Sequence, residues 1–530
     1  MRRKAENGVI ILVGLFFVVF AAIACNYYRI AAEQKYVSAA EERSLLKVTA
    51  GNSYGTIYDR NMIPLVNGET IRVAVAVPMA LNRNDAAEYA LDKEKFFEEF
   101  DKGMPFVFRC KDNTPESEGL TVFELPQRYS SEQPAQHVIG YISDNKGVAG
   151  IEYAYDSILR GDYGESSVTY SVDGFGRVLI GDGKEVVRSN AAESGVVTTI
   201  DADIQNICEE CGSDIDKGAI VVADISTGDI LALASFPSFS TEKLDESLSD
   251  ERSPLINRAL YSYSVGSIFK LVTACEAIEE GYDKFLYKCE GNLNVEGVNF
   301  NCHRLDGHGS QDMEEAMTNS CNTYFINLSR SYNTEAFRML AYNFGFGKEN
   351  YLCSGMVGSA GVLPTVRELL VPAELANFSF GQGKLTATPL QITQLTCTIA
   401  NEGRMPVLRI IKGITLDGIN TANEKNPQYS TVIEKETADQ LKDMMISAIS
   451  DNKDSNAKSR YVTVGAKTST AQTGRFDNEG NELCHAWITG FFPANNPEYA
   501  VTVLVEDGGY GNDAAAPIFR EIVDKIYQKT

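Results

Sequence analysis

The chain has 530 residues, which suggests two or three domains, and its 44% hydrophobic and 10% aromatic content can fill real cores. Its 48 basic and 72 acidic residues give a formal net charge of −24. This balance argues against nucleic-acid binding and against docking onto anionic lipid through a broad basic face.

The N-terminus has the pattern of a membrane anchor. Three basic residues at 2–4 precede an uncharged run over 8–25, which as a helix would span about 27 Å, enough to cross the apolar core of a bilayer. We predict a cytoplasmic tail over 1–7 and a single-pass anchor over 8–28, with the rest of the chain extracytoplasmic because the basic side stays inside. A cleaved signal peptide, or a lipoprotein signal ending at Cys25, is the alternative.

Residues 29–185 are predicted to form an elongated α+β pedestal domain. A helical stalk is expected over 30–50, a hairpin at Asn67-Gly68 and a charged helix over 86–101. This half lacks a convergent set of catalytic side chains, so we interpret it as a spacer or interaction module.

Residues 186–530 have a different pattern, which begins after a polar, glycine-bearing linker. Strand candidates stand at both ends of this domain and helices lie between them, which predicts an α/β (α+β) domain with a mainly antiparallel sheet. The strand candidates are 196–200, 218–224, 230–235, 462–468, 486–492 and 499–506, and a last helix is expected over 515–527.

A helix predicted over 264–281 carries the first candidate catalytic pair. Ser267 and Lys270 lie three residues apart at its N-terminal end, where a desolvated amine can activate a hydroxyl. The same four-residue pattern occurs five more times, so the spacing alone is weak evidence. The pair at 267 differs because it lies in an apolar helix directly after Gly266.

Two later motifs supply what such a nucleophile needs. Ser320-Cys321-Asn322 lies in a helix-breaking turn, where a hydroxyl can relay a proton and an amide can hold a lysine or a substrate carbonyl. Lys467-Thr468-Ser469-Thr470 lies at the end of a strand and offers a cation and hydroxyls suited to a substrate carboxylate.

In this order and rough spacing, the three motifs resemble those of the penicillin-recognising serine transferases and hydrolases. The chain is identified as a class B penicillin-binding protein of the penicillin-binding protein 2/A-like kind, and the similarity covers nearly its whole length. The flanking matches are Asn257-Arg258-Ala259, Gly381-Gln382-Gly383, Thr388-Pro389-Leu390-Gln391, the segment 55–61 and Gly150-Ile151-Glu152.

The resemblance implies a monofunctional peptidoglycan DD-transpeptidase with a five-stranded antiparallel sheet, flanking helices and a helical lobe. It implies that Ser267 is the nucleophile, acylated by stem peptides ending in D-Ala-D-Ala and by β-lactams. Neutral Lys270 would take its proton, Ser320 would pass a proton to the departing D-alanine, and Asn322 would orient Lys270 or the substrate amide.

The remaining implied roles concern substrate binding. Lys467 and Thr468 would hold the terminal carboxylate, Thr470 would add a hydroxyl, and the backbone N–H groups of Ser267 and Thr470 would form the oxyanion hole. Ser469 stands where the family usually has glycine. Its side chain is expected to crowd the substrate-binding strand and to alter β-lactam affinity more readily than to inactivate the enzyme.

The resemblance calls for no metal and no cofactor, and a metal site built on histidine is not expected because the chain has only four histidines. Cys289 and Cys302 are candidates for a disulfide if the domain is exported, which the sequence leaves open.

No glycosyltransferase domain fits before residue 200, so the expected partner is a membrane glycan polymerase of the shape, elongation, division and sporulation family. The alternative functions are a DD-carboxypeptidase, a β-lactamase-like hydrolase, a penicillin-binding sensor and a non-catalytic scaffold of a wall-synthesis complex. The short cytoplasmic tail counts against the sensor.

Overall fold

The computed structural model contains two compact units. It describes residues 2–32, 44–161, 164–189 and 193–529. The first unit comprises 1–54, 69–127 and 162–191, and the second comprises 55–68, 128–161 and 192–530. The segments 55–68 and 128–161, which the sequence assigned to the pedestal, therefore belong to the second unit, and the boundary between 185 and 186 stays a prediction.

The N-terminal helix Arg2–Ala32 contains a candidate membrane span, Asn7–Ala31, in which a window of 18 residues has a mean hydropathy of 3.0 and no buried residue. It is long and apolar enough to cross a membrane. The predicted stalk is wrong over 45–50, because Leu45–Asn52 is a strand. Its part over 33–43 lies outside the described residues. Alternate residues of that strand are partly buried and it pairs antiparallel with Glu165–Ser171, so sheet pairing overrides the helical pattern.

The first unit contains two three-stranded sheets. The strand Glu69–Ala76 pairs antiparallel with Phe106–Arg109 on one side and with Leu120–Gln127 on the other. It does not pair with the residues before Asn67-Gly68, so the predicted hairpin is wrong. The buried ring of Phe96 packs edge-on against Phe106 at 5.3 Å between centroids. The strands are Leu45–Asn52, Glu69–Ala76, Phe106–Arg109, Leu120–Gln127, Glu165–Ser171 and Lys184–Val187, and the helices after Ala32 are Pro78–Ala80, Arg83–Ala87 and Lys93–Asp101.

The second unit is built on a five-stranded sheet in which every pairing is antiparallel, which confirms the predicted fold class. The strand Gly465–Phe476 lies at one edge and carries Lys467 near its beginning. The strand order is Ile230–Phe236, Gly218–Asp224, Tyr499–Val505, Glu482–Phe492 and Gly465–Phe476.

Helices and small sheets complete the second unit. The longer helices are Ala202–Cys211, Lys270–Glu279, Asn322–Ser329, Thr334–Asn343, Pro372–Ser379, Pro389–Ala400, Lys435–Ser450 and Gly511–Lys529, and Met313–Thr318 is a shorter helix directly before the turn at 320–322. The short helical turns are Gln136–Ile139, Gly150–Ala154, Asp156–Arg160, Thr241–Lys243, Leu244–Ser249, Arg258–Leu260, Gly266–Phe269 and Val366–Leu369. The remaining strands are Thr56–Tyr58, Ile142–Ser143, Lys146–Gly147, Gly195–Thr198, Tyr263–Ser264, Tyr287–Cys289, Asn292–Val295, Val298–Asn301, Gly309–Gln311, Asn350–Cys353, Met356–Gly358, Thr386–Ala387, Arg404–Pro406, Ile411–Thr415, Thr421–Ala422 and Tyr429–Thr431.

The helix Pro389–Ala400 is buried along its whole length and packs against the central sheet. Its start explains the Thr-Pro-Leu-Gln motif. Thr388 and Gln391 form a reciprocal capping box, and proline occupies a first-turn position that needs no N–H donor. The hydroxyl of Thr393, one turn later, donates to Thr502 in the sheet at 2.8 Å.

The segment Gly150-Ile151-Glu152 has a structural role within the second unit. Glu152 is 1% exposed and accepts hydrogen bonds from the Arg128 guanidinium at 2.8 and 2.7 Å. The same guanidinium donates to the carbonyl of Gly55 at 2.6 Å. This buried ion pair therefore joins three segments that are far apart in the sequence.

Candidate active site

Ser267 lies in a 3-10 turn, Gly266–Phe269, that leads directly into the helix Lys270–Glu279. The Ser267 side chain is half-buried and Lys270 is fully buried. The predicted helix therefore exists, and its N-terminal turn places the hydroxyl at the margin of the core with the amine inside it.

Both the backbone conformation at position 266 and the lack of space beside it require a glycine there. Its φ of +64° lies in the left-handed region, and an added Cβ would lie 2.4 Å from the Ser469 hydroxyl oxygen. Its N–H donates to the carbonyl of Gly381 at 2.8 Å, which ties the glycine-rich segment at 381–383 to the turn of Ser267.

Three further contacts that the sequence did not predict hold the segment before Ser267. The guanidinium of Arg258, only 4% exposed, donates to the Glu506 carboxylate at 2.7 Å, and the Tyr263 hydroxyl donates to the same carboxylate at 2.8 Å. Trp487, the one tryptophan in the chain, donates its indole N–H to the carbonyl of Ser264 at 3.1 Å. Arg258 was noticed as part of a motif, but nothing in the sequence pairs it with Glu506.

Lys270 brings the first two motifs together. Its Nζ lies 2.7 Å from the Ser320 carbonyl oxygen, 2.7 Å from Asn322 Oδ1 and 3.2 Å from the Ser320 hydroxyl. Burial, with a smaller contribution from the charge of Lys467, holds the pKa of Lys270 well below the usual lysine range. A neutral amine has two N–H groups and one lone pair. Donation to the two carbonyl oxygens leaves the lone pair available to accept a proton.

Lys467 brings in the third motif. Its Nζ donates to the Ser320 hydroxyl at 3.2 Å and to the Thr468 carbonyl at 3.0 Å. Burial lowers the pKa of Lys467 to about 8, and the side chain is 3% exposed. The Ser320 hydroxyl therefore lies between Lys270 and Lys467, within reach of both amines.

The four side chains of the third motif alternate between the two faces of the edge strand Gly465–Phe476. Lys467 and Ser469 are buried, whereas Thr468 and Thr470 are half-buried. The Ser469 hydroxyl donates to the carbonyl of Val265 at 2.8 Å, and its crowding of the substrate-binding strand stays a prediction. The Thr470 hydroxyl accepts a hydrogen bond from the N–H of Gly511 at 3.2 Å.

Replacing Ser469 by glycine is expected to slow acylation by benzylpenicillin about 3- to 10-fold rather than accelerate it. The change removes the hydrogen bond to Val265 beside the nucleophile turn, and such a bond contributes about 1 kcal/mol. Second-order acylation rates and thermal unfolding measure the two effects. Ser469→Ala is the matched control, because it removes the hydroxyl but keeps Cβ. Faster acylation of Ser469→Gly would show that the side chain obstructs the ligand after all.

All eleven cysteines are unpaired, so the structure contains no bond between Cys289 and Cys302. Both thiols are buried, as is Cys321, the middle residue of the motif at 320–322.

The family model described as the penicillin binding protein transpeptidase domain matches residues 218–524, a range that contains all eight candidate site residues. The peptidoglycan D,D-transpeptidase PbpA of Mycolicibacterium smegmatis (strain ATCC 700084 / mc(2)155) is 30% identical over 437 residues, which cover 76% of this chain and 83% of that protein.

Two broader similarities cover nearly the whole chain. Stage V sporulation protein D of Bacillus subtilis (strain 168) is 26% identical over 557 aligned residues, covering 97% of this chain and 84% of that protein. A solved structure described as "Structural coordination of polymerization and crosslinking by a peptidoglycan synthase complex" has a TM-score of 0.69 at 24% identity and covers 99% of both chains. The structural likeness shows the same fold.

Proposed function

Because this chain belongs to the penicillin-binding protein transpeptidase family, we propose that it is a peptidoglycan D,D-transpeptidase that forms its acyl-enzyme on Ser267. The observation that carries the assignment is the buried Lys270 amine, which joins Ser320 and Asn322 through hydrogen bonds of 2.7 Å beside the Ser267 turn. A serine acyltransferase needs a base with a lowered pKa at this position.

In the acylation step, the Ser267 hydroxyl attacks the carbonyl between the two terminal D-alanines of a donor peptide. Lys270 accepts the serine proton through its free lone pair. The backbone N–H groups of Ser267 and Thr470 stabilise the oxyanion, an effect typically of about 3–4 kcal/mol per donor.

The departing D-alanine needs a proton on its amine. The Ser320 hydroxyl supplies it and is reprotonated by a neighbouring lysine, because Lys270 and Lys467 each lie 3.2 Å from its oxygen. Asn322 holds Lys270 in place through its Oδ1. Lys467 also attracts the terminal carboxylate of the donor, together with Thr468. An acceptor amine then attacks the ester and completes the cross-link.

The N-terminal helix anchors the enzyme in the cell membrane as a single pass, with the catalytic unit on the extracytoplasmic side. The apolar stretch Asn7–Ala31 supports this placement, and the basic residues before it favour the cytoplasmic side. Glycan strands come from a membrane polymerase of the shape, elongation, division and sporulation family. The fold shared with a protein of a synthase complex that couples polymerization and crosslinking supports such a partner.

Treatment of the full-length protein with benzylpenicillin is expected to give one covalent adduct per chain that persists for many minutes. Intact-mass spectrometry over time measures its lifetime, and peptide mapping should place it on the peptide that contains Ser267. An adduct lost as fast as it forms indicates a β-lactamase-like hydrolase. Folded protein that forms no adduct indicates a scaffold. Release of D-alanine without cross-linked product, when glycan strands are supplied, indicates a carboxypeptidase.

A further inference from the structure

Three thiols and one imidazole converge directly behind the turn at 320–322. The ligand atoms of Cys289, Cys302, His308 and Cys321 all lie within 4.8 Å of one another. The three cysteines are 2%, 1% and 0% exposed, and His308 is half-buried. The proposed reaction uses none of these four side chains.

The distances between the ligand atoms of this cluster suit a tetrahedrally coordinated metal ion. Zn–S bonds of about 2.3 Å and Zn–N bonds of about 2.0–2.1 Å require about 3.8 Å between two sulfurs and about 3.6 Å between sulfur and nitrogen. The Sγ atoms of Cys302 and Cys321 are 3.9 Å apart, and Cys302 Sγ lies 3.5 Å from Nδ1 of His308. Three soft sulfurs and one imidazole exclude calcium and magnesium, which require oxygen ligands.

Short strands and turns bring the four ligands together from distant parts of the sequence. Cys289 ends the strand Tyr287–Cys289, in which it pairs with Gly309, the neighbour of His308. Cys302 follows the hairpin strand Val298–Asn301, and its N–H donates to the carbonyl of Gly291 at 2.8 Å. Backbone hydrogen bonds therefore fix both sides of the cluster without any contribution from the thiols.

Cys321 is held in the same way, and the cluster has an outer hydrogen-bonding residue. The N–H of Cys321 donates to the carbonyl of Ala316 at 2.9 Å. The Thr323 hydroxyl donates to Cys289 Sγ at 3.2 Å and lies 3.4 Å from Cys321 Sγ. Hydrogen bonds of this kind orient metal-bound thiolates and stabilise their charge.

We propose that Cys289, Cys302, His308 and Cys321 bind one zinc ion in a closed, four-ligand structural site. The three thiols bind as thiolates and release their protons when the ion enters. No open coordination position remains for water or substrate, so the ion stabilises structure and takes no part in the acyl transfer.

The zinc site lies next to the residues that hold Lys270, so it affects the active centre. This step rests on the proposed function. Cys321 lies between Ser320 and Asn322, the two residues that hold Lys270. Ser320 has a φ of +48°, which costs a non-glycine residue roughly 1–2 kcal/mol. A metal bond at the next residue restrains this turn, so zinc positions the partners of the base.

Metal analysis of the full-length protein tests the site independently of activity. After incubation with zinc and removal of the excess, we expect one zinc per chain in the wild type, and cobalt(II) in its place should give thiolate charge-transfer absorption. Cys302→Ser and His308→Gln should lose the metal. Cys353→Ser, which alters a buried thiol outside the cluster, and His303→Gln, which alters the exposed neighbouring histidine, should keep it.

Removal of zinc by a chelator should slow acylation by benzylpenicillin about 10- to 100-fold, the cost of misplacing a catalytic group by about 1 Å, and added zinc should restore the rate. Wild-type protein that binds no metal while its thiols are reduced overturns the proposal. So does a disulfide between Cys302 and Cys321 in the purified protein. Zinc binding without any change in acylation keeps the site but refutes its positioning role.

Discussion

Replacing Ser267 by alanine is expected to abolish covalent labelling by benzylpenicillin, lowering the acylation rate by at least about 10⁴-fold, as removal of other serine nucleophiles does. The variant keeps the turn Gly266–Phe269, because its hydrogen bond to the 381–383 segment uses the backbone of Gly266. It therefore removes the nucleophile while leaving Lys270 and its partners in place. Gel fluorescence with a labelled penicillin measures the loss.

The chain offers a matched control for this substitution. Ser240 precedes Lys243 at the same spacing, but Lys243 is exposed to solvent and belongs to a short surface turn. Ser240→Ala should label at the wild-type rate. Strong labelling of Ser267→Ala would refute the assignment of Ser267 as the nucleophile. An adduct mapped to Ser320 would identify Ser320 as the nucleophile instead.

The sequence was sufficient where a motif has a local physical cause. The Thr-Pro-Leu-Gln motif predicts a helix start, and the structure contains a capping box at Thr388. Strand candidates at both ends of the catalytic domain predict an antiparallel sheet, and five antiparallel strands are present. The pair at Ser267 and Lys270 differs from Ser240 and Lys243 in having a buried lysine, and its apolar helix indicated this beforehand.

The sequence was insufficient where the answer depends on orientation or on distant contacts. Side chains alternate between the two faces of a strand, and the motif alone did not reveal that the Ser469 hydroxyl bonds to the Val265 carbonyl. The pairing of Arg258 with Glu506 spans 248 positions of the chain. The cysteine and histidine cluster likewise exists only after the strand Tyr287–Cys289 has paired with Gly309–Gln311. No local pattern encodes such contacts.

Replacing Lys270 by arginine is expected to lower the acylation rate about 10²- to 10⁴-fold, the usual contribution of a general base. Arginine still offers hydrogen-bond donors to Ser320 and Asn322, but it stays positively charged and cannot lose its proton to become a base. A merely structural cation at this position would tolerate the change. Second-order acylation rates between pH 5 and 10 provide the measurement.

The pH profile separates the roles of the two lysines. Acylation requires Lys270 neutral, so the rate should fall on the acid side as this lysine gains a proton, at a pH well below the usual lysine pKa. It requires Lys467 charged to attract the ligand carboxylate, so the rate should fall on the alkaline side near the pKa of Lys467, about 8.

Lys467→Arg should shift the alkaline limb to higher pH, because a guanidinium stays protonated there, while leaving the acid limb in place. An acid limb that moves with Lys467→Arg, or Lys270→Arg acylating at the wild-type rate, would show that Lys270 is not the base.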